Sequence, residues 1–166
     1  MADKGWLTDN ETVRFERTLP GPAARVWDHL TDARHLPVWF GSEEMEFTIE
    51  PRSGGRVHLM SGGITGEVRD WQPPRRLAYS WNLAGVPAPE TTVTFDLAEK
   101  GDTVQLVLSH GPIGSGFQAA SLSGWHTFLD RLEAMLRGAG LGDAMEAMQR
   151  HRAAYAADYP EGAPDA

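Results

Sequence analysis

The fold is decided by residues 121–137, SLSGWHTFLDRLEAMLR. Apolar side chains recur there at spacings of three and four, which predicts an amphipathic helix with a broad apolar face. That face comprises Leu122, Trp125, Phe128, Leu129, Leu132, Met135 and Leu136. The opposite face is predicted to be polar and carries Thr127, Asp130, Arg131 and Glu133. Gly138 follows the last apolar position, so the sequence predicts one long helix that ends there.

Most of the chain before this helix alternates apolar and polar residues, which predicts short β-strands. The alternation covers residues 11–19, 45–49, 56–60, 64–71, 77–82, 92–97 and 104–110. Glycine and proline pairs at 62–63 and 73–74, and a Lys-Gly-Asp turn at 100–102, separate strands. Two short helices are predicted after the first strand, one beginning at Pro22 and one at Asp32.

A curved antiparallel sheet buries its apolar face, and the long helix is the large cover that the sequence offers. The predicted fold class is therefore α+β, with a curved antiparallel sheet of about six to seven strands, two short helices after the first strand, and a long helix across the sheet. One domain is expected over residues 11–140. Residues 141–166 are expected to form a loosely docked tail with a short helix capped by Asp143, or alternatively a helix for a partner or a dimer.

Composition excludes several classes of function. The 166-residue chain carries a formal net charge of −8, which disfavours binding to nucleic acid and to anionic membrane surfaces. It has no cysteine, so disulfides, thiolate nucleophiles and cysteine-ligated zinc are excluded. The first ten residues lack the apolar core of a signal peptide, and no run is long enough to span a membrane. A cytoplasmic protein is expected.

Several local patterns occur together in a fixed order. They are PxxxVWxxLTD at 22–32, LxxWF at 36–40, GGR at 54–56, GEV at 66–68, PPRRLxxxW at 73–81, and GWxxxLxxL at 124–132 after His110. In these patterns the chain resembles the activator of heat-shock-protein-90 ATPase homologue-like family, within the START-related (SRPBCC) superfamily. The resemblance covers most of the chain.

This resemblance implies a helix-grip fold, as in the birch pollen allergen, with a hydrophobic cavity between the sheet and the long helix. Superfamily members bind lipids, sterols, polyketides and plant hormones, and some are cyclases, aromatases or hydrolases, so the fold does not fix the activity. Chaperone-activating members carry an additional N-terminal domain. Since only about ten residues precede the first predicted strand, chaperone binding is disfavoured.

A cavity of this kind needs large inward-facing apolar side chains and a few polar groups. The candidate ligand-binding residues are Trp39, Phe40, Phe47, Trp81, Phe95, Leu106, Leu108, His110, Trp125, Phe128 and Leu132. The alternative is that these residues fill a solid core, and the sequence leaves the two open. On the strand at 56–60, either Arg56 and His58 or Val57 and Leu59 face inward, and this is also left open.

His110 is the polar residue of most interest, since it continues the inward phase of its strand. It is a candidate to orient a ligand or to act as a general base, against the alternative of a histidine bonded to backbone at the core edge. His126 is expected on a solvated flank of the long helix. Residues 111–116 are rich in glycine and are interpreted as a hinge for that helix.

No metal-ligand spacing, nucleophile elbow or nucleotide-binding signature is present, so no metal, cofactor or catalytic signature is predicted. The sequence therefore favours a non-enzymatic protein that holds a small hydrophobic or aromatic ligand between the sheet and the long helix. A polyketide cyclase/aromatase- or hydrolase-like enzyme using His110 is the alternative. A chaperone-regulating or dimerising module, including a homodimer, is a further alternative.

Overall fold

Alternating apolar and polar side chains build one eight-stranded antiparallel sheet in the computed structural model, which describes residues 3–160. The strands are β1 (Trp6–Leu7), β2 (Val13–Pro20), β3 (Thr48–Ile49), β4 (Arg56–Leu59), β5 (Ile64–Gln72), β6 (Arg76–Leu83), β7 (Thr91–Lys100) and β8 (Thr103–Gly111). Their order across the sheet is β1-β2-β8-β7-β6-β5-β4-β3. Strands β4 to β8 form a run of hairpins, and β2 joins this run by pairing with β8.

The helices cover one face of this sheet. Two short ones, α1 (Ala23–Thr31) and α2 (Leu36–Phe40), lie between β2 and β3, and a single 3-10 turn spans Met60–Gly62. The long helix is α3 (Gln118–Leu136), and a further helix, α4 (Ala144–Ala156), follows it. No helix in residues 3–160 is both long and apolar enough to cross a membrane. The predicted α+β class, with a curved antiparallel sheet and a long covering helix, is confirmed.

The sheet contains one strand more than the upper end of the predicted range. The additional strand, β1, has two residues and lies before the first strand that the sequence predicts, at residues 11–19. Trp6 pairs with Arg14 and Leu7 with Val13. A pair of residues is too short to display alternation, so only its partner strand reveals it. Strand β3 is also shorter than the predicted 45–49 segment.

Strand register places the inward side chains in rows. One row runs Leu77, Phe95, Leu108 and Phe15 across four strands, and Tyr79, Val93, His110 and Val13 form the next. Every one of these side chains is buried.

The structure also decides the face of β4, which the sequence left open. Val57 and Leu59 are fully buried, Arg56 is exposed and His58 is half-buried. Arg56 and His58 therefore lie on the outer face of the sheet.

Helix α3 is buried on more sides than its sequence predicts. Thr127 and His126 were expected on polar or solvated faces, yet both are buried. The reason is that α2 and α4 pack against α3 in addition to the sheet. Helix α4 begins at Asp143, whose side chain accepts a hydrogen bond from the Glu146 amide, and it buries Tyr155. It is therefore packed closely on α3, whereas the sequence favours a loose tail; residues 161–166 lie outside the described part.

Candidate functional site

The interior between the sheet and α3 is occupied by a cluster of aromatic rings centred on Phe40, at the end of α2. Phe40 is fully buried. Its ring centroid lies 4.8 Å from that of Trp39, 5.0 Å from Phe128, 5.3 Å from Trp125, and 6.0 Å from both Phe47 and Trp81. Such separations are those of rings in direct contact. In this structure the aromatic residues therefore fill the space between sheet and helix.

A chain of hydrogen bonds crosses this aromatic cluster. The indole Nε1–H of Trp125, on α3, donates to His110 Nδ1 at 2.9 Å. His110 Nε2 lies 2.8 Å from Thr91 Oγ1, and that hydroxyl lies 3.5 Å from the carbonyl oxygen of Trp81. Because Nδ1 accepts, the imidazole proton belongs on Nε2, from which it is donated to Thr91. The chain links α3 to β6, β7 and β8 through buried polar atoms.

Burial holds His110 in its neutral form, because desolvation lowers the pKa of its imidazole from 6.5 to about 4. Its single free lone pair, on Nδ1, already accepts the hydrogen bond from Trp125. A general base would have to release that bond before taking a proton. The arrangement is better suited to positioning a polar group than to proton transfer.

The structure brings the sequence-predicted ligand-binding residues together on one interior surface. Nine of the eleven are buried, and Trp81 and Phe128 are half-buried. Phe95 meets Trp125 edge-on at 5.9 Å, and Leu108 pairs with Phe95 across the sheet. Trp39 has a different role at its polar end, since its Nε1–H donates to the carbonyl oxygen of His29 at 2.7 Å and so ties α2 to α1.

The half-buried Trp81 and Phe128 mark the end of the sheet at which the interior approaches solvent. Since the strands are antiparallel, this end holds the finish of β6 and β8, the start of β7 and the start of α3. The strand end and the loops there expose large apolar side chains, which we call the apolar rim: Met45 (39% exposed), Leu83 (42%), Val86 (42%) and Phe117 (56%).

Met45 is placed at the apolar rim by the backbone hydrogen bonds of the next residue, Glu46. The backbone amide of Glu46 bonds Ser61 Oγ, and the amide of Ser61 bonds the Glu46 carbonyl, both at 2.9 Å. Ser61 lies in the 3-10 turn just before β5, whose first residue pairs with Leu83 at the end of β6. Three separate connections, α2–β3, β6–β7 and β8–α3, thus present apolar side chains at one end of the sheet.

Two surface depressions lie elsewhere, on the outer face of the sheet. One, of about 390 Å³, is lined by Arg76, Asp96, Gln105 and neighbours. The other, of about 330 Å³, is lined by Arg56, His58 and neighbours. Their strand residues alternate with the inward-facing ones, so neither depression opens into the aromatic interior.

A second polar cluster, which the sequence did not reveal, lies where α3 meets α4. The rings of His126 and His151 stack with centroids 3.8 Å apart. His151 Nε2 lies 3.2 Å from Asp130 Oδ2, and His126 Nδ1 lies 2.8 Å from the hydroxyl of Tyr155. Asp130 Oδ1 accepts from Arg17 Nη1 at 2.9 Å. The available signal was a spacing of four on each helix, His126 to Asp130 and His151 to Tyr155.

Burial is the main influence on the titrating groups of this cluster. It lowers the pKa of His126 to about 4, against an opposing effect of the Asp130 carboxylate, and it lowers the pKa of His151. Burial also raises the pKa of the Tyr155 hydroxyl to about 12. That hydroxyl accepts a hydrogen bond from the backbone amide of Gly5 at 2.8 Å. The cluster therefore joins α3, α4, β2 and the N-terminal segment.

Comparison with known proteins identifies the family. The model of the family described as "Activator of Hsp90 ATPase homolog 1-like protein" matches residues 20–137. The match begins at the end of β2, continues through α1, α2 and all later strands, and ends just after α3. The chain belongs to this family. Helix α4, and with it His151 and Tyr155, lies beyond the part that defines this Activator of Hsp90 ATPase homolog 1-like family.

Relatives of this family member include curated and structurally determined proteins. Activator of 90 kDa heat shock protein ATPase homolog 1 of Mus musculus is 25% identical over 107 residues, which are 60% of this chain and 32% of the mouse protein. The chain thus spans about a third of the length of that relative. CalU16 from Micromonospora echinospora has a TM-score of 0.73 and 27% identity, with 93% of each chain covered.

A third relative is DynU16, described as a putative protein in the dynemicin biosynthetic locus. Its TM-score is 0.66 and its identity 26%, over 76% of this chain and 47% of that one. These solved structures confirm the helix-grip fold that the sequence resemblance implied.

Proposed function

We propose that this protein binds a small apolar or aromatic molecule between the sheet and α3. The observation that carries the proposal is the hydrogen-bonded chain from Trp125 through His110 to Thr91, set inside a cluster of aromatic rings. Ligand sites combine apolar walls with a few polar groups that fix orientation. A cytoplasmic location, expected from the sequence, belongs to this proposal.

The apolar rim supports an entry route at one end of the sheet. Contiguous exposed apolar side chains on a protein surface often mark sites of interaction. Phe117 precedes α3 and Val86 lies in the loop before β7, while Trp81 and Phe128 lead from this end towards Phe40. An apolar molecule would pass from the rim to the aromatic cluster along these side chains.

Binding requires the aromatic cluster to rearrange, because its rings fill the interior. Phe128 and Trp81 are the rings best placed to move, since both are half-buried. The free energy of this rearrangement is subtracted from the binding free energy, so the apparent affinity is that of the open state multiplied by the open fraction. Residues 111–116, which join β8 to α3, are the proposed hinge.

The preferred ligand has a flat aromatic surface and one polar group. Its surface would replace ring contacts made by Phe40 and Phe128, and its polar group would bond the indole N–H of Trp125 or the hydroxyl of Thr91. The similarity to DynU16, whose description places it in a biosynthetic locus, is compatible with natural-product chemistry.

A thermal-shift screen of planar aromatic compounds, followed by NMR of the indole N–H resonances, tests the proposal. A ligand in the interior should shift the resonances of Trp81 and Trp125. Trp27 and Trp71 serve as internal controls, since their rings contact each other at 5.0 Å as a separate pair. If no compound raises the melting temperature, or if the compounds that do leave Trp125 unshifted, the proposed site is wrong.

Hydrogen exchange tests the hinge. In a confirmed complex, amide exchange over residues 111–122 should slow, because a bound ligand holds α3 against the sheet. The core amides of β7 serve as the reference, since they are already protected in the free protein. Unchanged exchange over residues 111–122 would contradict the gating role.

Chaperone regulation is the second candidate, and the name of the mouse relative favours it. It is tested by adding the protein to the Hsp90 ATPase, with stimulation as the supporting result. A homodimer through α4 is less favoured, since its Tyr155 is already buried within the chain. A monomer mass from small-angle X-ray scattering in solution would rule out the homodimer.

A further inference from the structure

The cluster between α3 and α4 brings three potential metal ligands to one point. His126 and Asp130 are one turn apart on α3, and His151 approaches them from α4. One ligand atom from each residue lies within 4.8 Å of the others. Asp130 Oδ2 lies 3.2 Å from His151 Nε2 and 3.6 Å from His126 Nε2. Among residues 3–160, which the structure describes, this is the one group of three histidine, cysteine, aspartate or glutamate side chains close enough together to hold an ion.

We propose that His126, Asp130 and His151 form a binding site for a divalent transition-metal ion, with zinc as the best match. Zinc bonds imidazole nitrogen and carboxylate oxygen at ~2.0–2.1 Å in a tetrahedral arrangement, which separates any two ligand atoms by about 3.3 Å. The observed separations of 3.2 and 3.6 Å bracket that value. Two nitrogens and one oxygen suit zinc, cobalt, nickel or copper, whereas magnesium and calcium prefer oxygen ligands.

Neighbouring side chains are arranged as the outer shell of a metal site would be. Arg17 Nη1 holds Asp130 Oδ1, which leaves Oδ2 facing the two imidazoles. The hydroxyl of Tyr155 lies 2.8 Å from His126 Nδ1, so it can accept that N–H once the metal occupies Nε2. Metal-ligating histidines are typically oriented in this way, through the ring nitrogen that does not bind the metal.

Coordination requires a change of tautomer in the neutral rings and a rotation of at least one ring, because an imidazole nitrogen binds a metal in its ring plane and these two rings are stacked 18° from parallel. In the metal-free protein the Nε2–H groups of His126 and His151 face Asp130 Oδ2. When the metal binds Nε2, each neutral ring carries its proton on Nδ1 instead, so no net proton is released. His151 is 11% exposed at its side chain, and its Nδ1 proton can be taken by water or by a neighbouring acceptor.

The charges around the cluster are compatible with a dication. Arg17 is the buried cation, and it contacts both Asp130 and Glu133, the latter at 3.6 Å. Asp3 adds a further negative charge close enough to act on His126, while Arg150 acts on His151 with the opposite sign. Arg137 also pairs with Glu133, at 3.1 Å, so the formal charges of these three cations and three carboxylates cancel before the metal binds.

The site would be open on one side. Asp130 is 44% exposed at its side chain, whereas His126 and His151 are 5% and 11% exposed. Three protein ligands leave a fourth position for water or another small ligand. Because the ligands come from two helices, the metal would fasten α4 to α3. This role is independent of ligand binding between the sheet and α3.

Calorimetric titration of tag-free, metal-stripped protein with Zn²⁺ at pH 7.5 tests the proposal, with Mg²⁺ as the control ion. The expected result is one Zn²⁺ per chain and a rise in melting temperature with Zn²⁺ but not with Mg²⁺. Replacing Zn²⁺ by Co²⁺ should give the visible absorption of a low-symmetry Co²⁺ site. Long-range ¹H–¹⁵N spectra should assign the metal to Nε2 of both rings.

Two matched variants separate the site from general histidine binding. His151→Ala should weaken Zn²⁺ at least about tenfold, since removing even an outer-shell partner costs 10–100-fold. His35→Ala is the control, because His35 stacks on His29 at 4.2 Å in the same manner but belongs to no such three-residue group among the described residues. It should leave Zn²⁺ binding unchanged.

Three outcomes would overturn the proposal: no stoichiometric Zn²⁺ binding, equal binding by the wild type and the His151→Ala variant, or equal loss in both variants. If His151→Ala fails to fold, His151→Gln keeps the side-chain length and a polar end, and the same criteria apply to it. Failure of the zinc proposal would not affect the proposed ligand site in the interior, since that site is tested separately through the indole N–H resonances of Trp81 and Trp125.

Discussion

Replacing Phe40 by alanine removes the ring at the centre of the aromatic cluster. Phe40 is fully buried and contacts five other aromatic rings, from α2, α3, β6 and the segment before β3. The substitution therefore measures whether this interior is solidly packed or already partly open.

The expected loss of stability is large. Burying a phenylalanine side chain contributes about 1.5–3 kcal/mol, and a favourable aromatic pair adds ~0.5–1.5 kcal/mol. Measured phenylalanine-to-alanine changes in cores cost ~3–5 kcal/mol, with the higher values where the cavity cannot collapse. Since Phe40 has aromatic neighbours on several sides, we expect about 4–5 kcal/mol.

Denaturant unfolding followed by tryptophan fluorescence and circular dichroism measures this loss. Phe117→Ala is the matched control, since Phe117 is 56% exposed and should change the free energy of unfolding by less than about 0.5 kcal/mol. Domains of this size are stable by only ~5–15 kcal/mol, so Phe40→Leu is made in parallel. We expect Phe40→Leu to cost about 1–1.5 kcal/mol, because it preserves most of the volume.

A loss below about 1.5 kcal/mol for Phe40→Ala would refute the packing argument. Phe40 would then border empty space in solution, and the interior would be an open cavity before any ligand binds. The proposed rearrangement on ligand binding would no longer be needed. A loss equal to that of Phe117→Ala would contradict the contacts of the aromatic cluster altogether.

Two further predictions concern the sheet and its buried histidine. Gly66→Ala should destabilise the protein by about 2 kcal/mol or more, since a Cβ there would lie 1.9 Å from the carbonyl oxygen of Ser80. Gly140→Ala is the control, because a Cβ at Gly140 would have no atom within 4 Å. Equal melting temperatures for the two variants would contradict the predicted clash. Burial lowers the pKa of His110 to about 4, so the unfolded chain binds this proton first as the pH falls. The free energy of unfolding should therefore drop by up to about 3 kcal/mol from this group between pH 7 and pH 4. An NMR titration that places the His110 midpoint near 6.5 would refute it.

The central part of the candidate site was predictable from local pattern. The inward phase of β8 identified His110, and the spacing on α3 identified Trp125 and Phe128. These assignments follow from the periods of strand and helix, which need no knowledge of neighbouring elements. What the period cannot give is the partner of each polar atom. The bond from Trp125 to His110 depends on how α3 crosses β8, so only the structure supplied it.

Arg17 illustrates a second limit. It interrupts an apolar face of β2, and the sequence offers no partner for a buried guanidinium. In the structure its charge is met by Asp130 and Glu133, which lie on the predicted polar face of α3. Buried charges are generally paired, but the partner here lies more than 100 positions along the chain.

The sequence by itself determined most elements of the fold, their order and most of the inward faces, because side-chain period is a local property; the two-residue strand β1 is the exception. Tertiary structure alone decided what covers the outer side of the long helix. Helix α4 packs there, buries His126 and brings His151 to Asp130. The physical reason is that α4 has a weak apolar face, so its position depends on polar and aromatic contacts between residues far apart in the chain. The helix at 121–137 is therefore more than a lid for the sheet, since it packs against the aromatic cluster on one side and against α4 on the other.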